Sequence, residues 1–317
     1  LYIGNMKRVA FIDLGTNSCK LNIVEITLKD GLTKEIAKFK EVVRLGTGGF
    51  DTNYLLEDAI NRTIEVLKQF FVIASNYKVD DIYAVATAAV REAENQAEFI
   101  KRVKAEANID MQVVSGVREA YLIYLGVSRN VNIDERAMFV DVGGGTTELV
   151  VGDCEKEEYL DSAKLGAIRI YDMFFKDHTE AVSKEKYNEV LDYVKSTTNY
   201  STKCIREAGF DVCYGSSGTA TNLGEITLKR IDPDNVSYTD YEVSYKDLKD
   251  TIDILCSLPQ NERKHVVGLK SDRVDIIIAG AVILDGILQS VGAESLRITD
   301  YSLKEGLVVD YIQSALA

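Results

Sequence analysis

One loop occurs twice in this chain. RVAFIDLGTNSCKL runs from Arg8 to Leu21 and RAMFVDVGGGTTEL from Arg136 to Leu149, 128 residues further on. They share Arg8/Arg136, Phe11/Phe139, Asp13/Asp141, Gly15/Gly143 and Leu21/Leu149, with Ile12/Val140 and Ser18/Thr146 close. In each copy an apolar run ends in Asp, turns through small residues bearing hydroxyls or amides, and returns as a second apolar run, NIVEI or ELVVG. That grammar predicts strand, tight polar turn, strand. Glycine in the turn lets backbone N–H groups converge on an anion, Ser or Thr hydroxyls add donors, and the leading Asp supplies charge for a metal ion or its waters. Two such turns facing each other make a phosphate clamp. The plainer reading is a pair of ordinary hairpin turns, since Gly, Asp and Asn dominate turns for backbone reasons. Recurrence at domain-sized separation points instead to a duplicated unit.

At 317 residues the chain can form two domains, each with its own core. Its net charge of −13 argues against broad nucleic-acid binding, so a phosphate-rich ligand must be met by locally concentrated cations. Five cysteines without a Cys-x-x-Cys pair imply neither a disulfide framework nor a zinc site, and Cys19, inside the first turn, reads as a packed thiol. The opening LYIGNMKR lacks the apolar core of a signal peptide, with Met6 a candidate start, and the apolar run Ile276–Leu284 is too short to span a bilayer, which takes ~20 residues. A cytoplasmic protein without a membrane segment is expected.

Three strand-like runs fill Arg8 to Glu41, with a turn at Lys29-Asp30-Gly31. Helices are expected over Asp58–Tyr77, Asn95–Ala107 and Arg118–Gly126, and strands over Ile82–Thr87 and Met111–Ser115. The pattern then restarts at Arg136 with two strands and a third run, EEYLDSAKLGAIRI. Helices near Ala167–Phe175 and over Lys184–Ala208 follow, then a strand, Asp211–Gly215, that enters a small-residue loop, SSGTATNL. Helical Tyr245–Leu258, a basic stretch Glu262–Arg273, a helix Asp275–Val291, a strand Ser295–Thr299 and a helix Leu303–Leu316 complete the chain.

Two copies of a three-strand meander followed by helix and strand alternation resemble the duplicated ribonuclease-H-like architecture of the actin and sugar-kinase superfamily, an α/β fold of two domains with an interdomain cleft. On this reading domain I covers 1–124 plus 302–317 and domain II covers 125–301, with the site in the cleft. Within the superfamily, DLGTNSCKL, VATAAVREAEN, VVSGVREAYLIYLGV, VDVGGGTTELVVG, GSSGTATNL, DRVDIIIAGAVIL and DYSLKEGL together resemble the exopolyphosphatase and guanosine pentaphosphate phosphatase family in its short, two-domain form. The resemblance implies a hydrolase that releases the terminal phosphate of inorganic polyphosphate or the 5′ γ-phosphate of pppGpp, with Mg²⁺ or another divalent metal, and a link to the stringent response. It places the catalytic glutamate on Glu119, acidic metal- or water-handling groups on Asp141 and Glu148, phosphate-binding backbone on Gly143, Gly144 and Gly145, and a phosphate arginine on Arg91. The sequence departs from the family pattern at Lys20 and Lys304, where arginine is frequent, and at Val267, where proline is usual. Lysine keeps the charge without arginine's planar fork. Longer relatives carry a further helical domain that holds long polyphosphate, and with the sequence ending at Ala317 distributive hydrolysis of short polyphosphate or pppGpp is expected.

Terminal phosphoryl transfer gives each residue an independent role, because it needs an in-line nucleophile and charge neutralisation more than covalent help. Asp13, Asp141 and Glu148 are candidate metal ligands. Glu119 can accept the proton of the attacking water. Arg91, Lys20 and the backbone of Asn17, Ser18, Cys19, Gly143, Gly144, Gly145 and Thr146 can cancel phosphate charge. Gly215, Ser216, Gly218, Thr219, Arg263, Lys264 and Lys304 are weaker candidates for nucleoside or polyphosphate contact. Structural readings stand beside these: Glu119 as a helix-start carboxylate, Arg91 paired with Glu92 or Glu94, Glu148 facing water, and the basic stretch as solvated surface. The competing functions are an ATP-dependent kinase or ATPase of the superfamily and a filament-forming or nucleotide-sensing protein. SGVREA favours hydrolysis over a kinase because it puts a carboxylate near the expected water. No nucleic-acid partner is implied, and a homodimer is compatible with the sequence.

Overall fold

A computed structural model describes residues 6–130, 135–234 and 241–316. The reading of the N-terminus as lacking a signal-peptide core rests in part on residues 1–5, outside the described residues. The chain divides into two compact units, Leu1–Gly126 with Leu303–Ala317, and Val127–Ser302.

Unit 1 opens with strands β1 (Met6–Leu14), β2 (Ser18–Thr27) and β3 (Leu32–Val42), paired antiparallel in sequence. Gly31, at φ +69°, makes the left-handed turn between β2 and β3. β3 is the exposed edge, and its three lysines discourage pairing with another chain. Helix α1 (Glu57–Asn76) buries Ile60, Ile64, Leu67, Phe70 and Ala74, the stripe a 3.6-residue period requires. Strand β4 (Asp81–Ala86) lies parallel to β1. The short α2 (Ala88–Arg91) comes next, with no pattern long enough to betray it in the sequence. The helix expected over Asn95–Ala107 forms as α3 (Gln96–Arg102) and widens into a π-helical turn, Val103–Ala107, that stops at left-handed Asn108. β5 (Met111–Val113) adds to β4 in parallel and α4 (Gly116–Ser128) follows. The sheet order is β3-β2-β1-β4-β5.

Unit 2 repeats this plan. β6 (Ala137–Val142), β7 (Thr147–Gly152) and β8 (Glu157–Ala163) form the antiparallel meander. α5 (Ala167–Ile170) runs into a π-helical turn, Tyr171–Phe175, and α6 (Lys184–Ala208) starts at a Ser183 cap whose hydroxyl accepts from the Lys186 N–H. β9 (Val212–Ser216) pairs parallel to β6. SSGTATNL is not a loop: Ser216 ends β9 and the remainder opens α7 (Ser217–Ile231). Its Thr219, Ala220, Asn222 and Leu223 are buried, so packing overrides the turn preference of a Ser-Gly-Thr string. β10 (Tyr241–Ser244), α8 (Tyr245–Ser257), α9 (Gln260–Arg263), α10 (Ile277–Val291) and β11 (Ser295–Ile298) complete the unit. The order β10-β11-β9-β6-β7-β8 reproduces the first sheet strand for strand, with β10 as an added edge. This duplicated ribonuclease-H-like topology is the α/β fold expected from the sequence.

α10 is apolar all round and buried, and the one carboxylate at its centre, Asp285, accepts from Tyr187 Oη (2.6 Å), Tyr245 Oη (2.6 Å) and Gln289 Nε2 (2.9 Å). Beyond Ser302 the chain rejoins unit 1 as α11 (Leu303–Leu316). No described helix is long and apolar enough to cross a membrane.

Candidate active site

The two turns close alike. Gly143 N donates to Thr146 O and Gly15 N to Ser18 O, both at 3.0 Å. Their flanking strands share a register, with Asp13 opposite Lys20 and Asp141 opposite Glu148. Identical backbones therefore carry opposite electrostatics. In the first turn Lys20 Nζ meets Asp13 Oδ2 at 3.3 Å, a local neutralisation. In the second, two buried carboxylates face each other across the ladder, an arrangement that repels unless something positive is near. Ser216 Oγ donates to Asp141 Oδ2 (2.7 Å) and Ser162 Oγ to Glu148 Oε1 (2.8 Å). Glu148 is 2 % exposed, so the reading in which it merely faces water does not hold.

Among the described residues no three His, Cys, Asp or Glu side chains gather into a ready-made metal cage. Within unit 2, Asp141 and Glu148 stand as a carboxylate pair, and within unit 1 Asp13 is held by Lys20. A carboxylate pair fits Mg²⁺, which is bound through one or two carboxylates, substrate phosphates and retained waters.

Each turn has its carbonyl groups covered from one side. Ala167 N donates to Gly143 O (2.9 Å), Ile168 N and Arg169 N to Gly144 O (2.9 and 3.2 Å), and Arg169 Nε to Gly145 O (2.9 Å). In unit 1 the loop after β3 does the same: Gly46 N donates to Thr16 O (3.1 Å), and Val43 N and Arg44 N to Asn17 O (3.0 and 2.8 Å). A Cβ on Gly46 would stand 2.3 Å from Thr16 Cγ2, and one on Gly166 would stand 2.3 Å from Gly144 C. The duplication thus extends to Leu45-Gly46 and Leu165-Gly166, each just past the third strand of its unit. That Leu-Gly dipeptide, outside the two hairpins, is the sequence signal of this shared feature. Asn17 is 7 % exposed and neither polar atom of its amide has a hydrogen-bond partner among the described residues. Such a group, inside a turn of converging N–H donors, is suited to a ligand. The Cys19 thiol is fully buried and its pKa is raised well above the usual value, by burial and then by the Asp13 charge, so only its backbone is fit for anion contact.

Arg91 and Glu119 come from separate motifs and meet. Arg91, the last residue of α2, donates from Nη1 to Glu119 Oε2 at 2.7 Å and to Val114 O at 3.1 Å. Glu119 lies in the first turn of α4, where Ser115 Oγ accepts from Arg118 N as a cap, and is 7 % exposed. The simple pairing of Arg91 with Glu92 or Glu94 is replaced by this contact.

The weaker candidates divide. Arg263 is 3 % exposed and donates to the carbonyls of Leu255, Leu258 and Val274, so it belongs to the interior rather than to a polyanion flank, and burial lowers its pKa. Thr219 is buried against Gly280, and Gly215 is needed for packing because a Cβ there would stand 2.9 Å from Ala220 Cβ. Lys304 Nζ is held by Glu35 (2.9 Å) and Glu305 (2.8 Å); burial opposes its charge, but the two carboxylates prevail and raise its pKa. Lys264 remains exposed beside Thr179 and Gln260. Ser216 bonds Asp141, and the Arg273 guanidinium lies across Gly218, where a Cβ would meet Nη2 at 1.6 Å. Burial lowers the Arg273 pKa, partly offset by Asp272 and Asp141. Arg273 therefore belongs beside the second turn, a place its position in a basic run did not reveal.

Two ribonuclease-H-like units, each with an Asp-led phosphate-type turn between its first two strands, define a protein of the actin and sugar-kinase class. Residues 23–315 match the Ppx/GppA phosphatase family, and the chain belongs to that family. It is 30% identical to the bifunctional 3-dehydroquinate synthase/phosphatase of Fusobacterium nucleatum over 99% of this chain and 48% of that protein. It is also 30% identical to the guanosine-5′-triphosphate,3′-diphosphate pyrophosphatase of Vibrio cholerae, over 96% of this chain and 59% of that one. The chain thus spans about half the length of these relatives. Among solved structures, an exopolyphosphatase from Cytophaga hutchinsonii superposes with a TM-score of 0.90 at 28% identity, covering 97% of this chain and 98% of that one.

Proposed function

We propose that the protein is a divalent-metal-dependent phosphoanhydride hydrolase that releases terminal orthophosphate from inorganic polyphosphate or the 5′ γ-phosphate from pppGpp. The observation that carries this reading is the 2.7 Å contact between Arg91 and Glu119, which sets a phosphate-binding cation beside a buried carboxylate. In the reaction, water attacks the terminal phosphorus in line with the bridging oxygen that leaves. Glu119 takes the proton of that water, an effect typically worth ~10²–10⁴-fold. Arg91 and the N–H groups of the turns neutralise the non-bridging oxygens, where most of the transition-state charge lies. Asp141 and Glu148 would hold the Mg²⁺, which when bound would supply positive charge to offset that of the phosphoryl group. The five cysteines are all free thiols, which supports a reducing, cytoplasmic setting.

The test is orthophosphate release from tripolyphosphate, long-chain polyphosphate, pppGpp and ATP, each with Mg²⁺ and with EDTA. Metal-dependent release from one of the first three, well above that from ATP, is expected. Transfer of the ATP γ-phosphate to an acceptor, with the other three inert, would overturn hydrolysis in favour of a kinase.

A further inference from the structure

We infer that Arg169 is a positioning residue whose side chain aims the Thr146 backbone N–H, the last of the Gly143–Thr146 turn, at the substrate phosphate. The inference rests on the proposed hydrolase reading and names a part of its site. In a trans peptide the C=O of one residue and the N–H of the next point in opposite directions within one plane. Whatever fixes the three carbonyls of Gly143, Gly144 and Gly145 therefore fixes the N–H groups of Gly144, Gly145 and Thr146 facing the other way. Backbone N–H groups of Ala167, Ile168 and Arg169 hold the first two carbonyls. Gly145 O is held by a side chain, Arg169 Nε, at 2.9 Å. Three glycines in a row have the widest backbone freedom of any tripeptide, so without that bond the last peptide plane can rotate and turn its N–H away.

Burial and sterics support the same role. Arg169 is 9 % exposed, an unusual place for a guanidinium unless its donors are engaged. Gly166 brings the start of α5 against the turn so closely that a Cβ would collide with Gly144 C and O at 2.3 Å and with Gly145 N at 2.4 Å. The counterpart turn in unit 1 has both Thr16 O and Asn17 O covered by backbone N–H groups of residues 43–46, with no side chain needed. Among the described residues, the glycine-rich copy is the one whose carbonyl is held by an arginine side chain, and it is the copy with less stiffness of its own.

The test uses the full chain with Arg169→Lys and Arg169→Ala, tripolyphosphate as substrate and orthophosphate as a binding probe. Lysine keeps charge and stem but has no donor at the Nε position. Both variants should lose about ten- to a hundredfold in kcat, short of the ~10²–10³-fold typical of deleting an oxyanion donor outright, with a smaller change in KM. Orthophosphate affinity should weaken in parallel, and added guanidinium ion should restore part of the Arg169→Ala rate. If the alanine variant does not fold, the lysine variant gives the same reading. A folded Arg169→Lys protein with wild-type kcat and wild-type orthophosphate affinity would overturn the inference. Should the wild type fail to hydrolyse tripolyphosphate, the hydrolase reading is at fault, and orthophosphate affinity alone judges Arg169: equal binding by wild type and Arg169→Lys refutes it.

Discussion

Arg91 anchors Glu119 Oε2 at 2.7 Å, which would hold the proposed general base still. Glu119→Gln keeps the shape and the acceptor that Arg91 uses while removing the basic carboxylate. Turnover of the best substrate should fall by ~10²-fold or more with KM little changed, as measured by steady-state phosphate release. A folded variant with near-normal kcat would show that the base is another group. The cysteines make a second residue-scale case. Burial pushes the Cys213 and Cys256 thiols up to about 12 and raises Cys19 as well, whereas Cys154 is exposed. Thiol labelling of the native protein near neutral pH should therefore modify Cys154 first and reach Cys19, Cys213 and Cys256 only on unfolding, as peptide mapping would reveal. A thiol whose folded pKa is raised stabilises the fold fully below its unfolded pKa. That contribution declines as pH climbs from about 8.5, where the unfolded thiols ionise, toward the folded values. Early labelling of Cys19 would contradict its packed position.

At the scale of strands and helices, the β6–β7 hairpin holds Asp141 and Glu148 directly opposite each other. Glu148→Gln relieves that repulsion, which Arg273 beside Asp141 offsets, and retains an oxygen for Ser162, so in EDTA the variant should gain no more than about 1 kcal/mol over wild type. Mg²⁺ should raise the melting temperature of wild type and not of the variant. Equal Mg²⁺ shifts in the two proteins would mean the ion is held elsewhere. The hairpins were legible in the sequence because strand alternation, Asp and Gly are local signals, whereas the register that sets Asp141 opposite Glu148 is seen only in the structure. The start of α7 was not legible, since Ser216, Ser217 and Gly218 have turn chemistry and only burial of Ala220 and Leu223 makes the segment helical. Arg263 and Arg273 read as one basic run, yet one is buried against three carbonyls and the other crosses Gly218. The Arg263 partners are backbone carbonyls and the Arg273 neighbour is a glycine distant in sequence, and hydrophobic periodicity encodes neither. The role of Arg169 is likewise not written in its local sequence: its partner, Gly145 O, is a backbone atom 24 residues away.

The whole molecule holds two cores, and the last helix of the chain packs outside the first of them, on the sheet face that carries Phe11 and Tyr83 rather than the one that buries Ala10, Ile12 and Leu14. α11 approaches α4 so closely that a Cβ on Gly306 would stand 1.8 Å from Leu122 O. The helix is anchored there by Asp310, which accepts from Arg118 Nη2 at 2.5 Å and from Tyr83 Oη at 3.0 Å. Tyr311 closes an edge-to-face triangle with Phe11 and Tyr83, its hydroxyl on Asp81. Because Arg118 is next to Glu119 and on the same helix, α11 helps to set the segment that carries the proposed base. Gly306→Val inserts a branched side chain against a backbone carbonyl that cannot yield as a flexible side chain would, and the cost should reach or exceed the ~1–3 kcal/mol usual for overpacking. The loss should be confined to one unit. Amide hydrogen exchange is expected to accelerate in β1, β4 and α4 while β6, β9 and α10 keep wild-type protection, since those three belong to the other hydrophobic cluster. Turnover should fall with it, through Glu119, even where the protein stays folded. Equal acceleration in both units would mean that they unfold as one cooperative body, and unchanged exchange in α4 would show that α11 is not what holds the Glu119 helix in place.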